Sequence, residues 1–495
     1  MAPAWAYQQG LTLNMDVISP YSTVMPVLFS HLSKLFGGFN YHNVVALFIA
    51  ATMAYYILFY ALLRRWLGSA LLASFGTLLA MKLQMFHWGV SPIIWQFPTA
   101  TVLRYIFDLP VLWCIWQHIR TADQKYLWIA SAVCGVAAAY IVDTGVYLNL
   151  AFSFYLVALY IVPQPRIFLF PRDVLQTAIL MFMPAVIAFF ILGLIQGPAI
   201  LNPNMYANMF EHASLFLQGW GSLPMYDGLK ERQFFAFIMG FVIPVVYTWT
   251  MVLVGTLCLL RQIPWKNFFV VVLCVYGLAL YHYFINRSAV SSYYVVCIPF
   301  VCVVCFWFDK IASQFGGRIR RSLQCVALAA MFGAFMTSYL VTYYPNVFNL
   351  AGMDWEPEKK FYKEEFNFEQ DAALIRKLTG PKERVALVSS FETKILMEAG
   401  RPPFFYYFPL IESQHMRVAQ FRGTYLHTFG RMKKTLAQLE EAKPGYVFIE
   451  RKLFNRQIPP EYYQHFQTLN ILVEYLGSHY AIVEDGKYLV ALKRT

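Results

Sequence analysis

Charge is scarce in this chain. Of its 495 residues, 13% are Asp, Glu, Lys or Arg, against the roughly 25% of a soluble domain. That shortfall excludes a soluble globular fold for the chain as a whole. Acidic side chains are scarcer still over most of the length. From residue 345 onward lie 18 of the 27, which leaves nine for everything before. Cysteine is absent from residues 345–495, and the eight present (114, 134, 258, 274, 297, 302, 305 and 325) fall in or beside apolar stretches. This distribution excludes a disulfide scaffold. Cys302 and Cys305 form a CxxC, but without a second pair or a nearby histidine the spacing reads as helix packing rather than metal ligation. No GxGxxG, Walker loop, HExxH or GxSxG stands in a supporting context.

What the chain has in abundance is hydrocarbon, at 59% hydrophobic residues. Apolar runs of about 20 residues recur, the length a helix needs to cross ~30 Å of bilayer. The runs predict ten spans: 43–63, 67–86, 98–117, 126–142, 145–162, 175–196, 234–260, 267–285, 290–308 and 322–343. The fourth and fifth meet at Asp143-Thr144-Gly145. Beyond residue 345 charges become frequent and long apolar runs stop. Arg384–Ser389 and Tyr446–Ile449 read as strands beside helices at 371–378, 393–398 and 430–441, and Ile471–Tyr475 and Tyr488–Leu492 suggest more regular structure near the end. Alternating strands and helices imply an α/β domain. Pro402–Phe408 is aromatic enough to pack on the membrane face or on a sugar, with packing the stronger reading. The expected class is a polytopic α-helical membrane protein with a C-terminal soluble α/β domain. Its expected segments are 1–42, an extracytoplasmic loop with an interfacial helix, 43–343, the helical membrane domain, and 344–495, an extracytoplasmic soluble domain.

The net charge of +12 does not point to nucleic acid, because the basic residues fall in short loops. Every second loop is basic: Arg64-Arg65, Arg120 with Lys125, Arg166 with Arg172, Arg261 with Lys266, and Lys310 with Arg318, Arg320 and Arg321. These twelve charges mark the cytoplasmic side of a cell membrane. Ten spans then put residue 1 and the tail on the opposite, extracytoplasmic face. Residues 1–40 contain no cleavable apolar core, so the expectation is that a further helix precedes residue 1.

Topology sorts the acids by side. Asp123, Asp173 and Asp309 sit in basic loops as solvated charges. Asp108 lies inside a span four residues after Arg104, a spacing at which the two can pair on one helix face; a charge within a span is a functional candidate. On the outer side are Asp16, Asp143, Glu211, Asp227 and Glu231. Asp16 stands out by context. Pro20-Tyr21 and Pro26 restrict the backbone around it. Val27, Leu28, Leu32, Leu35 and Phe36 then suggest a short surface helix stopped by Gly37-Gly38. An Asp on such a loop can act as base or metal ligand; the plainer role is capping a turn. His87-Trp88 follow the second span on the same side, where they can contact a sugar or belong to an interfacial aromatic belt. Arg287 follows His282 at the outer end of a span, and Tyr294 and Pro299 come after it. A permanent cation at headgroup level suits a phosphate or snorkels to ordinary lipid.

An outer-loop Asp, a Pro-Tyr, a Pro six residues later, a short helix and a Gly-Gly before the next span resemble the first outer loop of GT-C glycosyltransferases. Asn286-Arg287-Ser288, followed by Tyr294 and Pro299, resembles their late outer-loop Arg-Ser motif. The resemblance implies an enzyme of cell-envelope glycan biosynthesis, with an outward site and a polyprenyl-phosphate sugar donor entering from the bilayer. Its acceptor would be a glycan, a lipid or a protein. Asp16 matches the loop aspartate, a base or a Mg or Mn ligand, and Arg287 with Tyr294 matches the donor-phosphate site. Tyr21, His87, Trp88, Arg104, Asp108 and His282 are the further substrate-binding candidates. Many relatives pair two acids in the first loop, whereas here Asp16 stands between Met15 and Val17. Two other classes fit the composition. A flippase for lipid-linked glycans should carry internal repeats and broken helices. A glycan polymerase or ligase should carry a large basic outer loop, for which only 197–233 is available.

Overall fold

The computed structural model describes residues 2–19, 23–35, 37–38, 41–85, 102–161, 171–217, 238–286, 297–343, 368–389, 391–406, 425–455 and 467–495. Two short helices come first, α1 (Ala2–Gln8) and α2 (Val24–Lys34). Six long ones follow: α3 (Tyr41–Leu67), α4 (Ala70–Met85), α5 (Asp108–Thr121), α6 (Lys125–Tyr140), α7 (Val142–Ile161) and α8 (Pro171–Gln196). After α9 (Pro203–Leu217) come α10 (Ile243–Leu259), α11 (Phe268–Asn286), α12 (Ile298–Ala312) and α13 (Gly317–Tyr343). Ten of these helices fall on the ten predicted spans. Six stretches among the described residues are long and apolar enough to cross a bilayer: 46–67, 142–160, 174–201, 240–259, 265–282 and 317–340. The chain is a multi-pass membrane protein.

Two compact units divide the chain: Met1–Val44, Gly193–Leu223 and Glu358–Thr495 in one, Val45–Leu192 and Pro224–Pro357 in the other.

In the helical unit, burial distinguishes centre from rim. The apolar window of α11 is 72% buried, that of α8 17% and that of α13 6%. The rim helices display Phe182, Phe189, Phe190, Val326 and Phe332, side chains at home in lipid. Association of helices in lipid depends on close packing at small residues. A Cβ at Gly277 of α11 would lie 2.4 Å from the Tyr247 ring of α10, and one at Gly76 of α4 would lie 2.7 Å from Cys305 Sγ of α12. Cys302 and Cys305 are fully buried, the packing role their spacing suggested. The α6–α7 junction is a single extended residue, Ile141, not the predicted Asp143-Thr144-Gly145. Gly145 is needed because a Cβ there would lie 2.2 Å from Ala138 Cα.

The other unit contains a four-stranded sheet in the order β1-β2-β4-β3. Its elements are α14 (Glu369–Leu378), β1 (Ala386–Val388), α15 (Glu392–Ala399), α16 (Tyr425–Ala442), β2 (Tyr446–Glu450), α17 (Arg451–Phe454), α18 (Gln467–His479), β3 (Tyr480–Asp485) and β4 (Leu489–Arg494). β1 and β2 are parallel, with Leu387 opposite Phe448. β4 runs antiparallel to β2 and to β3. Alternate strand residues face opposite sides. Ala386, Val388, Val447, Ile449 and Leu492 pack with Leu439 of α16 and Leu472 and Leu476 of α18. Leu387, Phe448, Leu489 and Ala491 pack with Ile375 of α14 and Leu396 of α15. Phe405 is buried in the first of these cores, so that part of the aromatic 402–408 run packs inside the domain, not on the membrane face.

The second core holds a side chain from far away in sequence. Trp5 of α1 is 9% exposed, belongs to the cluster with Phe368, Ile375 and Leu396, and donates its indole N–H to the Arg401 carbonyl at 2.8 Å. The residues before Asp16 are therefore built into the α/β domain.

Candidate active site

Asp16 sits in a closed double turn. Its N–H donates to the Thr12 carbonyl at 2.8 Å, and the Thr12 N–H donates back to Asp16 Oδ2 at 2.9 Å. Asn14, at φ +62°, takes the left-handed conformation that asparagine tolerates better than most residues. Its side chain closes the turn, accepting from the Ser19 N–H at 2.9 Å and donating to Thr23 Oγ1 at 3.1 Å. Asp16 thus caps a turn through Oδ2, while Oδ1 accepts no hydrogen bond from the described residues. The carboxylate is half-buried.

Four other segments grip this turn. Gln196 of α8 donates to the Leu13 carbonyl at 3.2 Å and Asn208 of α9 to the Asn14 carbonyl at 2.9 Å. The Ile18 N–H donates to the Tyr406 carbonyl at 3.1 Å. Arg384, just before β1, donates through Nη2 to the Asp16 carbonyl at 3.2 Å. Burial holds the Arg384 guanidinium below its ordinary value, and the Asp16 carboxylate offsets part of that shift.

Helix α2 lies against α1, with Tyr7 Oη 3.4 Å from His31 Nε2. The helix begins at Val24, three residues before the expected start, and ends before Gly37 and Gly38, at φ +96° and +112°. Val27 is buried, and Leu28 and Leu35 are exposed, at 37% and 78%. Beside the Asp16 turn is an open cavity of about 360 Å³, lined by Tyr7, Gln8, Thr12, His31, Lys34 and Gln196 among others.

A second polar cluster belongs to the helical unit. Arg104 and Asp108 do not share a helix. Residues Val102–Tyr105 form a 3₁₀ turn, and α5 begins only at Asp108, where Pro110 favours a first turn because it has no N–H to give. The expected Arg104–Asp108 pair is replaced by an ion pair between Arg104 and Asp143. The Arg104 side chain is 3% exposed and that of Asp143 37%. Tyr140 Oη donates to the Leu103 carbonyl, and Thr144 Oγ1 to that of Arg104, which holds the turn against the α6–α7 junction. One helical turn beyond Asp143 on α7, Tyr147 Oη lies 3.2 Å from His282 Nδ1 on α11. Asp108 is buried separately. It accepts from Tyr55 Oη at 3.3 Å and Tyr276 Oη at 3.5 Å.

Sequence reading left Asp143 as a span-edge acid and passed over Tyr147, although the two share the i,i+4 spacing of one helix face. Tyr21, His87, Trp88, Arg287 and Tyr294 lie outside the described residues. Among the described residues no three His, Cys, Asp or Glu side chains gather as metal ligands. Asp16 brings one carboxylate, and a Mg or Mn ion held there would take its remaining oxygen ligands from water, backbone carbonyls or a substrate phosphate.

No family model and no curated protein matches the chain. Solved structures do. ArnT from Cupriavidus metallidurans bound to undecaprenyl phosphate aligns with a TM-score of 0.52 at 13% identity, covering 99% of this chain and 92% of that one. The apo state of the same protein aligns at 0.53 and 12% identity, covering 99% and 91%. Ten apolar helices in sequence order and a C-terminal α/β domain, aligned over nearly the full length of both chains, give this membrane protein the fold seen in ArnT.

Proposed function

We propose that this protein is a membrane glycosyltransferase that moves a sugar from a polyprenyl-phosphate donor to an extracytoplasmic glycan, lipid or protein. The observation that carries the reading is the full-length likeness to a fold that holds undecaprenyl phosphate in ArnT. Its support within the chain is the Asp16 turn, gripped by hydrogen bonds from four other segments. Fixed geometry of this kind is what general base catalysis asks of a carboxylate.

In this reading Asp16 takes the proton from an acceptor hydroxyl as that oxygen attacks the anomeric carbon. The bond from that carbon to the phosphate oxygen breaks, and the polyprenyl phosphate leaves with the electron pair. Arg287 stabilises the departing phosphate, as a guanidinium fork does well, and Tyr294 is the second proposed contact to that phosphate. The acceptor approaches through the cavity beside Thr12. Tyr21, His87, Trp88, Arg104, Asp108 and His282 are the proposed contacts to the sugar and its carrier. A ~50-carbon lipid tail keeps its favourable place in hydrocarbon, at ~0.8 kcal/mol per CH₂, while only its headgroup is handled. The loop charges support the inner membrane as the location, with Asp16, the cluster at Asp143 and the α/β domain on the extracytoplasmic side.

Titration of the purified protein with undecaprenyl phosphate, followed by native mass spectrometry, tests the donor assignment. We expect saturable binding that weakens at least tenfold in Arg287→Ala. Equal binding by the two proteins would remove Arg287 from the phosphate site.

A further inference from the structure

We propose that Arg384 is a positioning residue for Asp16, so that the α/β domain sets the geometry of the candidate base. The proposal rests on the reading of Asp16 as that base. Arg384 lies 368 positions along the chain from Asp16, yet its guanidinium joins three carbonyls. Nε donates to Pro403 O at 3.0 Å, and Nη2 donates to Phe404 O at 3.1 Å and to Asp16 O at 3.2 Å. The first two acceptors belong to the segment that pairs with the start of β1, where the Phe404 N–H donates to the Val385 carbonyl at 3.1 Å. Arg384 is therefore braced on the domain by two bonds and reaches Asp16 with a third.

The peptide it holds matters. The carbonyl of residue 16 fixes the ψ angle of Asp16, and the Thr12 N–H fixes one carboxylate oxygen. Together they leave the side chain little freedom to turn. Ile18, two residues on, is tied to Tyr406 in the same domain, and Trp5 anchors the segment before the turn in the domain core. No other guanidinium among the described residues is hydrogen-bonded to residues 12–18. A lysine keeps the charge but has neither the planar fork nor its fixed geometry. Displacement of a reacting group by about 1 Å costs on the order of 100-fold in rate.

The experiment compares the wild type, Arg384→Ala, Arg384→Lys and Asp16→Asn in vesicles, using a polyprenyl-phosphate sugar as donor. Hydrogen exchange of amides 12–18 is followed in parallel. We expect Arg384→Ala to lower kcat by about 10- to 100-fold with donor KM within about twofold. Amides 12–18 should exchange faster, added methylguanidine should restore part of kcat, and lysine should restore little. Unchanged exchange in Arg384→Ala overturns the proposal, as does full activity in Arg384→Lys. Faster exchange with unchanged kcat, beside an inactive Asp16→Asn, overturns the proposal alone and leaves Asp16 as the base. A fully active Asp16→Asn overturns the base assignment and the positioning role with it.

Discussion

Replacing Trp5 by alanine should loosen a domain that begins more than 350 positions later. The indole is 9% exposed and packs with Phe368, Ile375 and Leu396 under the sheet. Truncating a buried Trp to Ala costs about 3–5 kcal/mol. The lost bond to the Arg401 carbonyl falls within that figure, at about 0.5–1.5 kcal/mol for a net hydrogen bond. Total stability of a domain is about 5–15 kcal/mol, so the loss is a large share of it. At 1.36 kcal/mol per decade, the open population rises by roughly 10²- to 10⁴-fold. Where opening is fast, proteolysis tracks that population. Limited proteolysis of the detergent-purified protein should therefore cut Trp5→Ala between residues 368 and 495 at least 100-fold faster than wild type. Trp5→Phe keeps most of the apolar contact and removes the N–H, so it should fall near tenfold. A rate for Trp5→Ala within about threefold of wild type would refute the claim that α1 is part of this domain.

Other substitutions probe the same physics. Glu392 is 5% exposed, and burial holds its carboxyl well above the ordinary value. The folded state then binds a proton that the unfolded state releases, so stability is fully present below the ordinary Glu value and is lost as pH rises above it. The slope is up to ~1.36 kcal/mol per pH unit. Glu392→Gln should remove that slope, read as the unfolding midpoint of the domain against pH; parallel curves for the two proteins would contradict it. Gly145→Ala places a methyl against the Ala138 backbone, which cannot rotate away. A cost of about 1–3 kcal/mol or more is expected, read as a lower midpoint of thermal unfolding in detergent.

The ten helices were legible because apolarity is a local property that each segment shows by itself, and six of the described stretches also reach spanning length. Two of the four strands were legible for a similar reason, since Val385–Val388 and Val447–Ile449 are short apolar runs between helical stretches, whereas Tyr480–Asp485 was not read and Ile471–Tyr475 lies inside α18. Partners were not legible. The i,i+4 spacing of Arg104 and Asp108 assumed one continuous helix, and Pro110 moves the start of that helix to Asp108, which frees Arg104 to meet Asp143. Helix α1 escaped notice because seven residues are too few to form a stable helix alone; Trp5 holds it from outside. The context of Asp16 pointed to an ordered loop. The hands that hold the loop, Gln196, Asn208, Tyr406 and Arg384, come from segments whose approach no local pattern encodes.

The central claim is tested most directly by the release of free undecaprenyl phosphate. Purified protein in vesicles is given a panel of undecaprenyl-phosphate sugars with an extract of envelope acceptors, and wild type is compared with Asp16→Asn. The account predicts catalytic release by the wild type with at least one donor, together with loss of about 10³-fold or more in the folded, inserted variant, within the range general base catalysis supplies along with the disturbed turn. Release at equal rates by the two proteins, or by neither with any donor that binds, would contradict it.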